Sequence, residues 1–375
     1  MPQRIALELQ ALVAETRRKY PDVRQSADQL LAQWQADADR TVSELQSCKD
    51  PSSHALLQMI VLACETRSPK VIQLALSLLQ SSIPLRILPD TSLATVIDTL
   101  HTLLSAPGRT DVDVQLKILQ IVSSLLVTYA NVTSELLSRA LMLCFTLYEH
   151  SRVVVVSSTA AAMLRQNVMV VFEKVQSEDQ SFDAIQNEDA AVNAPLPVGT
   201  AELPSGPVTL FPCAADVYHL LNDLCALADG QPAQFLPLDT LSKPFVLELL
   251  ESVLTTQSSL FQRHPELVYI LRSAACPFLL KALSKPPASF SVYIRVMRLV
   301  ALLLCEYHKE IVLEVEMLLR ALLDTLDEKH ALWQRVLAWE TMRSLSADSA
   351  FLTFLWDQFD GQADPICVLG RLVEC

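Results

Sequence analysis

The chain has 375 residues, a formal net charge of -13, 51% apolar residues and only six glycines. That apolar content excludes a disordered chain, and the scarcity of glycine argues against Gly-rich phosphate loops and folds built on tight β-turns. The acidic balance argues against nucleic-acid binding through a basic face.

Residues 3–20 place Ile5, Leu9, Leu12, Val13 and Tyr20 on one face and Arg4, Glu8, Glu15 and Arg18 on the other, which predicts an amphipathic helix. Pro21 breaks the chain, and helix resumes over 22–46. Further helices are expected over 52–67 and 69–82, opened by Pro51-Ser52-Ser53 and Pro69. Asp90-Thr91-Ser92 caps another, which ends near Pro107-Gly108. Residues 111–130 are apolar almost all round and should lie between neighbours. Helices over 132–149 and 152–176 complete a first block. Val153–Val156 is β-branched, but Leu164, Val168, Val171, Phe172 and Val175 continue with a 3.6-residue period, so helix is the reading there.

Residues 175–242 hold ten acidic residues and no Lys or Arg. Within them, 177–212 combine acid with proline and few large apolar residues, which reads as a flexible linker. A second block follows, with helices over 214–229, 243–261, 264–284, 289–308, 310–327, 330–346 and 348–358. Helical pairs recur about every 35 to 45 residues, so the expected fold is all-α: a right-handed solenoid of armadillo- or HEAT-like pairs in two blocks. The last stretch (Ile366, Val368, Leu369, Leu372, Val373) has no polar cap, so the stack is expected to continue past Cys375.

Candidate chemistry is sparse. Nine cysteines, an odd number without a CxxC, read as reduced core residues. Cys213, His219 and Cys225 stand at six-residue steps that scatter them around a helix, so no metal site is expected. Asp111-x-Asp113 is read as a helix N-terminal pair. Glu314-x-Glu316 points to two helix faces and makes a poor acid–base pair. No catalytic set and no cofactor are expected. Arg17, Arg18, Lys19 and Arg24 form the densest basic cluster: a contact for anionic lipid or an acidic partner, or cations favouring a helix C-terminus. No run matches a charge-free membrane span, so membrane contact is expected to be peripheral. Trp333, Trp339 and Trp356 are expected mainly in the core. Arg165, beside Thr159-Ala160-Ala161-Ala162, is a candidate for a buried, paired arginine.

The chain resembles the N-terminal region of the large Arf guanine-nucleotide exchange factors, most closely relatives of the Mon-two (Ysl-two) type. Leu9-x-x-Leu12 and Arg17-Arg18-Lys19-Tyr20-Pro21-x-Val23-Arg24 with Ala27 are similar to the start of the family's DCB domain. Thr159-Ala160-Ala161-Ala162-x-Leu164-Arg165-Gln166 and Val171-Phe172-Glu173-Lys174-Val175 are similar to its end. Asp216-x-Tyr218 with Leu221-x-Asp223-Leu224-Cys225, then residues 245–254 and Trp333-x-Arg335 with Glu340, are similar to the HUS region. Where the exchange factors carry Asn-Tyr-Asp-Cys, this chain has Gln358-Phe359-Asp360-Gly361, as Mon-two relatives do.

The resemblance implies a DCB domain over 1–176, the linker, and a HUS domain over 213–375 that continues further. It implies a non-catalytic scaffold in Golgi-to-endosome trafficking, cytoplasmic and peripheral on trans-Golgi and endosomal membranes. Implied partners are an Arf or Arf-like small GTPase, a Dopey-family protein, an aminophospholipid flippase complex and a second copy through DCB. Leu164, Arg165, Gln166, Phe172, Phe359 and Asp360 are the expected domain-junction or partner-binding residues. Two rival readings stand beside it. One is the regulatory region of a catalytically active Arf exchange factor; the other is an unrelated α-solenoid adaptor or transport receptor.

Overall fold

The computed structural model describes residues 3–17, 19–36, 51–105, 111–187, 196–287 and 289–361. Among these the chain is all-α apart from one two-stranded hairpin. It divides into two compact units, residues 1–174 and 175–375.

The first unit contains α1 (Gln3–Thr16), α2 (Pro21–Ala36), α3 (Pro51–Glu65), α4 (Pro69–Ser82), α5 (Leu93–Ser105), α6 (Val112–Thr128), α7 (Ser134–His150) and most of α8 (Val154–Asn187). Prolines open α2, α3 and α4, where the missing N–H is one the first turn leaves unpaired anyway. Two rows of helices result: α1 packs on α4 and α4 on α6, while α2, α3, α5 and α7 follow one another. Each helix buries one apolar stripe. α6, which reads as apolar all round, buries Val114, Ile118, Leu119, Ile121, Val122, Leu125 and Leu126. Burying each Leu or Ile contributes about 1.5–3 kcal/mol, so one such helix supplies much of the driving force for its neighbours. Helix ends are tied by polar bonds across pairs. The Tyr129 hydroxyl donates to the Leu88 carbonyl at 3.0 Å, and Arg86 donates to the Thr128 carbonyl at 2.6 Å.

The second unit begins inside α8. It continues with β1 (Gly199–Leu203), β2 (Gly206–Leu210), α9 (Pro212–Asp229), α10 (Lys243–Thr256), α11 (Ser258–Arg263), α12 (Pro265–Ile270), α13 (Cys276–Ser284), α14 (Phe290–Glu306), α15 (Val312–Asp324), α16 (Leu332–Ser346) and α17 (Ser349–Leu355). α10, α14 and α16 stack in one row, and α13 packs on α15. Arg295 on α14 joins the row to α10, reaching Glu248 at 3.0 Å and Glu251 at 3.5 Å. Gly230 ends α9 at φ 83° with Gln231 N–H bonded back to the Ala226 carbonyl at 2.8 Å, a left-handed cap that favours glycine.

Several elements depart from the sequence reading. Residues 177–187, expected as linker, continue α8, and 199–210 pair as an antiparallel hairpin with Gly199 opposite Leu210 and Leu203 opposite Gly206. Alternate residues Ala201 and Leu210 pack on Ala215 of α9, so the hairpin is held by a small apolar contact. The helix expected over 243–261 breaks at Gln257. The one expected over 264–284 contains a π-turn at Leu271–Ala275, just before Pro277. Proline has no N–H and its ring crowds the carbonyl four residues back, which explains the widened turn. Residues 37–46 of the second expected helix, the helix end near Pro107-Gly108 and the apolar tail 366–373 lie outside the described residues.

Among the described residues, two helices are long and apolar enough to cross a membrane by length and composition, Val154–Phe182 and Pro265–Ser284. Each uses its apolar face as core: Leu164, Val168 and Phe172 in the first, Leu267, Ile270 and Leu279 in the second.

Candidate interaction surfaces

The residues expected at a domain junction fall in both units. On α8, Leu164 and Phe172 are fully buried and belong to the first unit's core. Arg165 is half-buried and Gln166 exposed. The fully buried polar residue of that helix is Asn167. It donates from Nδ2 to Cys144 Sγ at 3.6 Å, while its Oδ1 has no hydrogen-bond partner. Lys174, seven residues on, donates to the Tyr129 and Val132 carbonyls at 3.0 and 3.3 Å and so fastens α8 to the α6–α7 connection. The small residues Ala160 and Ala161 are buried, as close helix packing requires.

In the second unit, Phe359 is buried in an aromatic cluster at the end of α17. Its ring stands edge-on to Phe354 at 6.2 Å, and His308 lies 4.5 Å from Phe354 and 5.7 Å from Phe351. Asp360 is half-buried on the π-turn Trp356–Asp360, closed by the Gly361 N–H bonded to the Trp356 carbonyl at 2.7 Å. A Cβ on Gly361 would meet that carbonyl at 2.9 Å, so this corner requires glycine.

Of the basic cluster, Arg17 and Lys19 are exposed, and Arg24 is half-buried and paired with Asp28 at 3.4 Å. Arg18 lies outside the described residues. Arg17 and Arg24 meet in a shallow recess of about 560 Å³ that also takes in Asp28. A carboxylate already holds one of its cations, so an anion would compete with Asp28 there.

Most chemistry-bearing groups are engaged in holding helices together. Glu178 accepts the Cys213 and Ala214 amides at 3.2 and 3.1 Å, satisfying the start of α9 from another helix. Burial nevertheless raises its pKa, against the pull of those amides. His264 bridges two carboxylates, with Nδ1 2.7 Å from Glu266 and Nε2 3.1 Å from Asp179. Burial disfavours its charge, but the hydrogen bonds and charges of Glu266 and Asp179 outweigh burial and hold its pKa above the ordinary value. Asp223 accepts the Gln234 and Leu236 amides at 2.8 and 2.6 Å and anchors the loop after α9. Gln73 on α4 donates to Asp111 at 2.7 Å and to Asp113 at 3.4 Å. Glu314 pairs with Arg272, and Glu316 with Arg320.

Burial pushes the Cys64, Cys144, Cys225 and Cys276 thiols up to about 12, the opposite of a nucleophilic thiolate. His219, spaced between Cys213 and Cys225, is exposed while Cys225 is buried. Among the described residues no three His, Cys, Asp or Glu side chains gather in a metal-holding group.

The tryptophans differ from expectation. Trp333 is half-buried between Phe290 and Tyr293, but Trp339 is 51% and Trp356 58% exposed. Leu332, Val336 and Trp339 line one side of α16, opposite its buried Ala338, Thr341 and Leu345. The expectation of a mainly core placement rested on aromatic character within a helical stack, which does not reveal which of two apolar stripes finds a neighbour.

Two family models match this chain. The DCB (dimerisation and cyclophilin-binding) domain of the Mon2/Sec7/BIG1-like family matches residues 2–179, and the HUS domain of the same family matches 213–365. The chain is 30% identical over 371 residues to the Protein MON2 homolog of Homo sapiens, covering 94% of this chain and 21% of that protein. It is 28% identical to the MON2 homolog of Drosophila melanogaster, covering 94% and 21%, and 26% identical to Protein MON2 of Saccharomyces cerevisiae, covering 100% and 22%. The chain thus spans about one fifth of the length of these relatives. Two helical units with their polar groups spent on packing, matched in order by the DCB and HUS models, place this chain in the Mon2/Sec7/BIG1-like family.

Proposed function

We propose that this chain acts as a non-catalytic scaffold of Golgi-to-endosome vesicle trafficking and works through protein–protein contacts. The observation that carries the reading is the succession of DCB and HUS models on one chain. The buried, high-pKa cysteines and the structural use of Glu178, Asp179, Asp223 and His264 support it, because these groups are spent on packing. Stacked helices present long faces suited to a partner helix or a GTPase switch region. The family description of DCB as a dimerisation domain makes a second copy a partner in this proposal. By resemblance, a GTPase of the Arf or Arf-like class, a Dopey-family protein and a flippase complex are the others. The protein works peripherally on trans-Golgi and endosomal membranes.

The test is a pull-down of the purified 375-residue chain with Arf and Arf-like GTPases loaded with GDP or a GTP analogue. Retention of one GTP-loaded GTPase without acceleration of nucleotide exchange is the expected result. Accelerated exchange overturns the non-catalytic reading, and retention of none overturns the GTPase as partner.

A further inference from the structure

A second recess lies within the second unit, on a surface none of the residues above occupies. It is a cleft of about 180 Å³ where the end of α9, the start of α10, α13 and α14 meet. Leu247 is buried, while Phe278 and Val292 are half-buried and leave part of their apolar surface to water. Three exposed lysines line the same cleft: Lys243, Lys281 and Lys285.

Each lysine has a local reason to be there. Lys281 stands in the last turn of α13, and Lys285 follows that helix directly. Lys243 Nζ lies 3.7 Å from where a Cβ on Gly230 would sit, beside the end of α9. Cations are favoured at helix C-termini. That accounts for their charge but not for the open apolar floor between them. Among the described residues, Asp229 is the one acidic residue lining the cleft, and it is paired with Lys281 at 2.6 Å. Three ammonium groups against one carboxylate leave a cationic rim, on a chain whose net charge is -13.

We propose that this cleft docks a short acidic–apolar peptide segment of a partner protein. One aromatic or leucine side chain enters between Phe278 and Val292, and flanking carboxylates meet Lys243 and Lys285. The size supports this occupant: a cavity of ~150 Å³ holds a benzene-sized group, so this cleft takes one side chain and not the paired acyl chains of a lipid. The charge supports it too. Asp229 in the rim repels a phosphate dianion more strongly than a single carboxylate set on the far lysines. The proposal goes beyond the GTPase reading and does not rest on it.

The test is fluorescence anisotropy with the 375-residue chain and a fluorescein-labelled peptide Gly-Asp-Asp-Leu-Phe-Asp-Asp-Gly. Saturable binding that weakens with added salt is expected. Lys243→Glu and Lys285→Glu should each weaken it about tenfold while the chain stays folded, since both side chains are exposed and each variant loses only a charge favoured at a helix end. Val292→Asp, and a peptide with Ser-Ser in place of Leu-Phe, should each abolish it. Three outcomes overturn the proposal. The first is no saturable binding. The second is equal binding of the Ser-Ser peptide, which would reduce the cleft to a charge effect. The third is co-sedimentation with phosphatidylserine vesicles that the lysine variants lose while the peptide stays unbound.

Discussion

Asn167 marks the residue-scale difference between reading this sequence and seeing it folded. The helix stretch 159–175 reads as a junction by resemblance, and Arg165 reads as a candidate buried arginine because it stands beside small residues. The structure instead leaves Arg165 half-buried and buries Asn167 completely, with its side-chain carbonyl unpaired. A buried polar atom without a partner costs about 1–3 kcal/mol, whereas an apolar group of similar shape escapes that cost. Replacing Asn167 with Leu should therefore raise the stability of the first unit by about 1 kcal/mol, read as a higher urea midpoint. A drop in that midpoint would mean that Asn167 is satisfied in solution. Which of three adjacent polar residues faces inward depends on the helix's rotation against α6 and α7. A shift of one residue turns it by about 100°. The apolar residues Leu164 and Phe172, by contrast, were legible as core from spacing alone.

At the scale of the element, acidic residues 177–187 illustrate how composition misleads. Glu, Asp and Gln in a row read as solvated linker. In the fold, Glu178 satisfies the start of α9, Asp179 meets His264, Gln176 donates to Gln257 at 2.8 Å, and the Phe182 ring packs at a tilt against Phe211 with centroids 4.2 Å apart. Each partner lies 29 to 85 residues away in sequence, so no local signal could announce it. Arg263 adds a weaker contact to Asp179 at 3.8 Å. This docking carries a pH signature. The folded pKa of His264 stands above its ordinary value, so its contribution is complete below about 6.5 and declines as pH rises through the folded pKa. A hydrogen bond to a charged group contributes about 1.5–3 kcal/mol when intact. The difference in urea midpoint between the natural chain and His264→Gln should therefore be largest near pH 6 and shrink toward pH 9. A difference independent of pH would show that the neutral imidazole carries the bridge.

At the scale of the whole molecule, exposed apolar residues concentrate in the second unit on α15 and α16, with Leu313, Met317, Leu332, Val336 and Trp339 all more than half exposed. A monomeric surface rarely leaves such stripes uncovered, and α16 carries one on the side opposite its packed face. Since Trp339 is 51% exposed and stands opposite the buried face of α16, Trp339→Gln should change stability by no more than about 0.5 kcal/mol. The same change should reduce self-association, read by light scattering. The contrast is sharpest near the pI of about 5.0, where net charge no longer keeps copies apart. Strong destabilisation by Trp339→Gln would show that the stripe is covered within the chain.

The sequence by itself determined the class of fold, the order of the helices and the family. Those follow from apolar spacing, from prolines at helix starts and from short motifs, all properties of neighbouring residues. The third of these was legible as resemblance and matches the DCB and HUS models. Only the tertiary structure decided which polar residues became fasteners. It turned an apparent linker into a helix end and a hairpin, left Trp339 and Trp356 on the surface, and assembled a lysine-rimmed cleft from four helices. These outcomes depend on contacts between residues tens of positions apart. A chain encodes such contacts through the balance of burial against desolvation, which no short window of sequence contains.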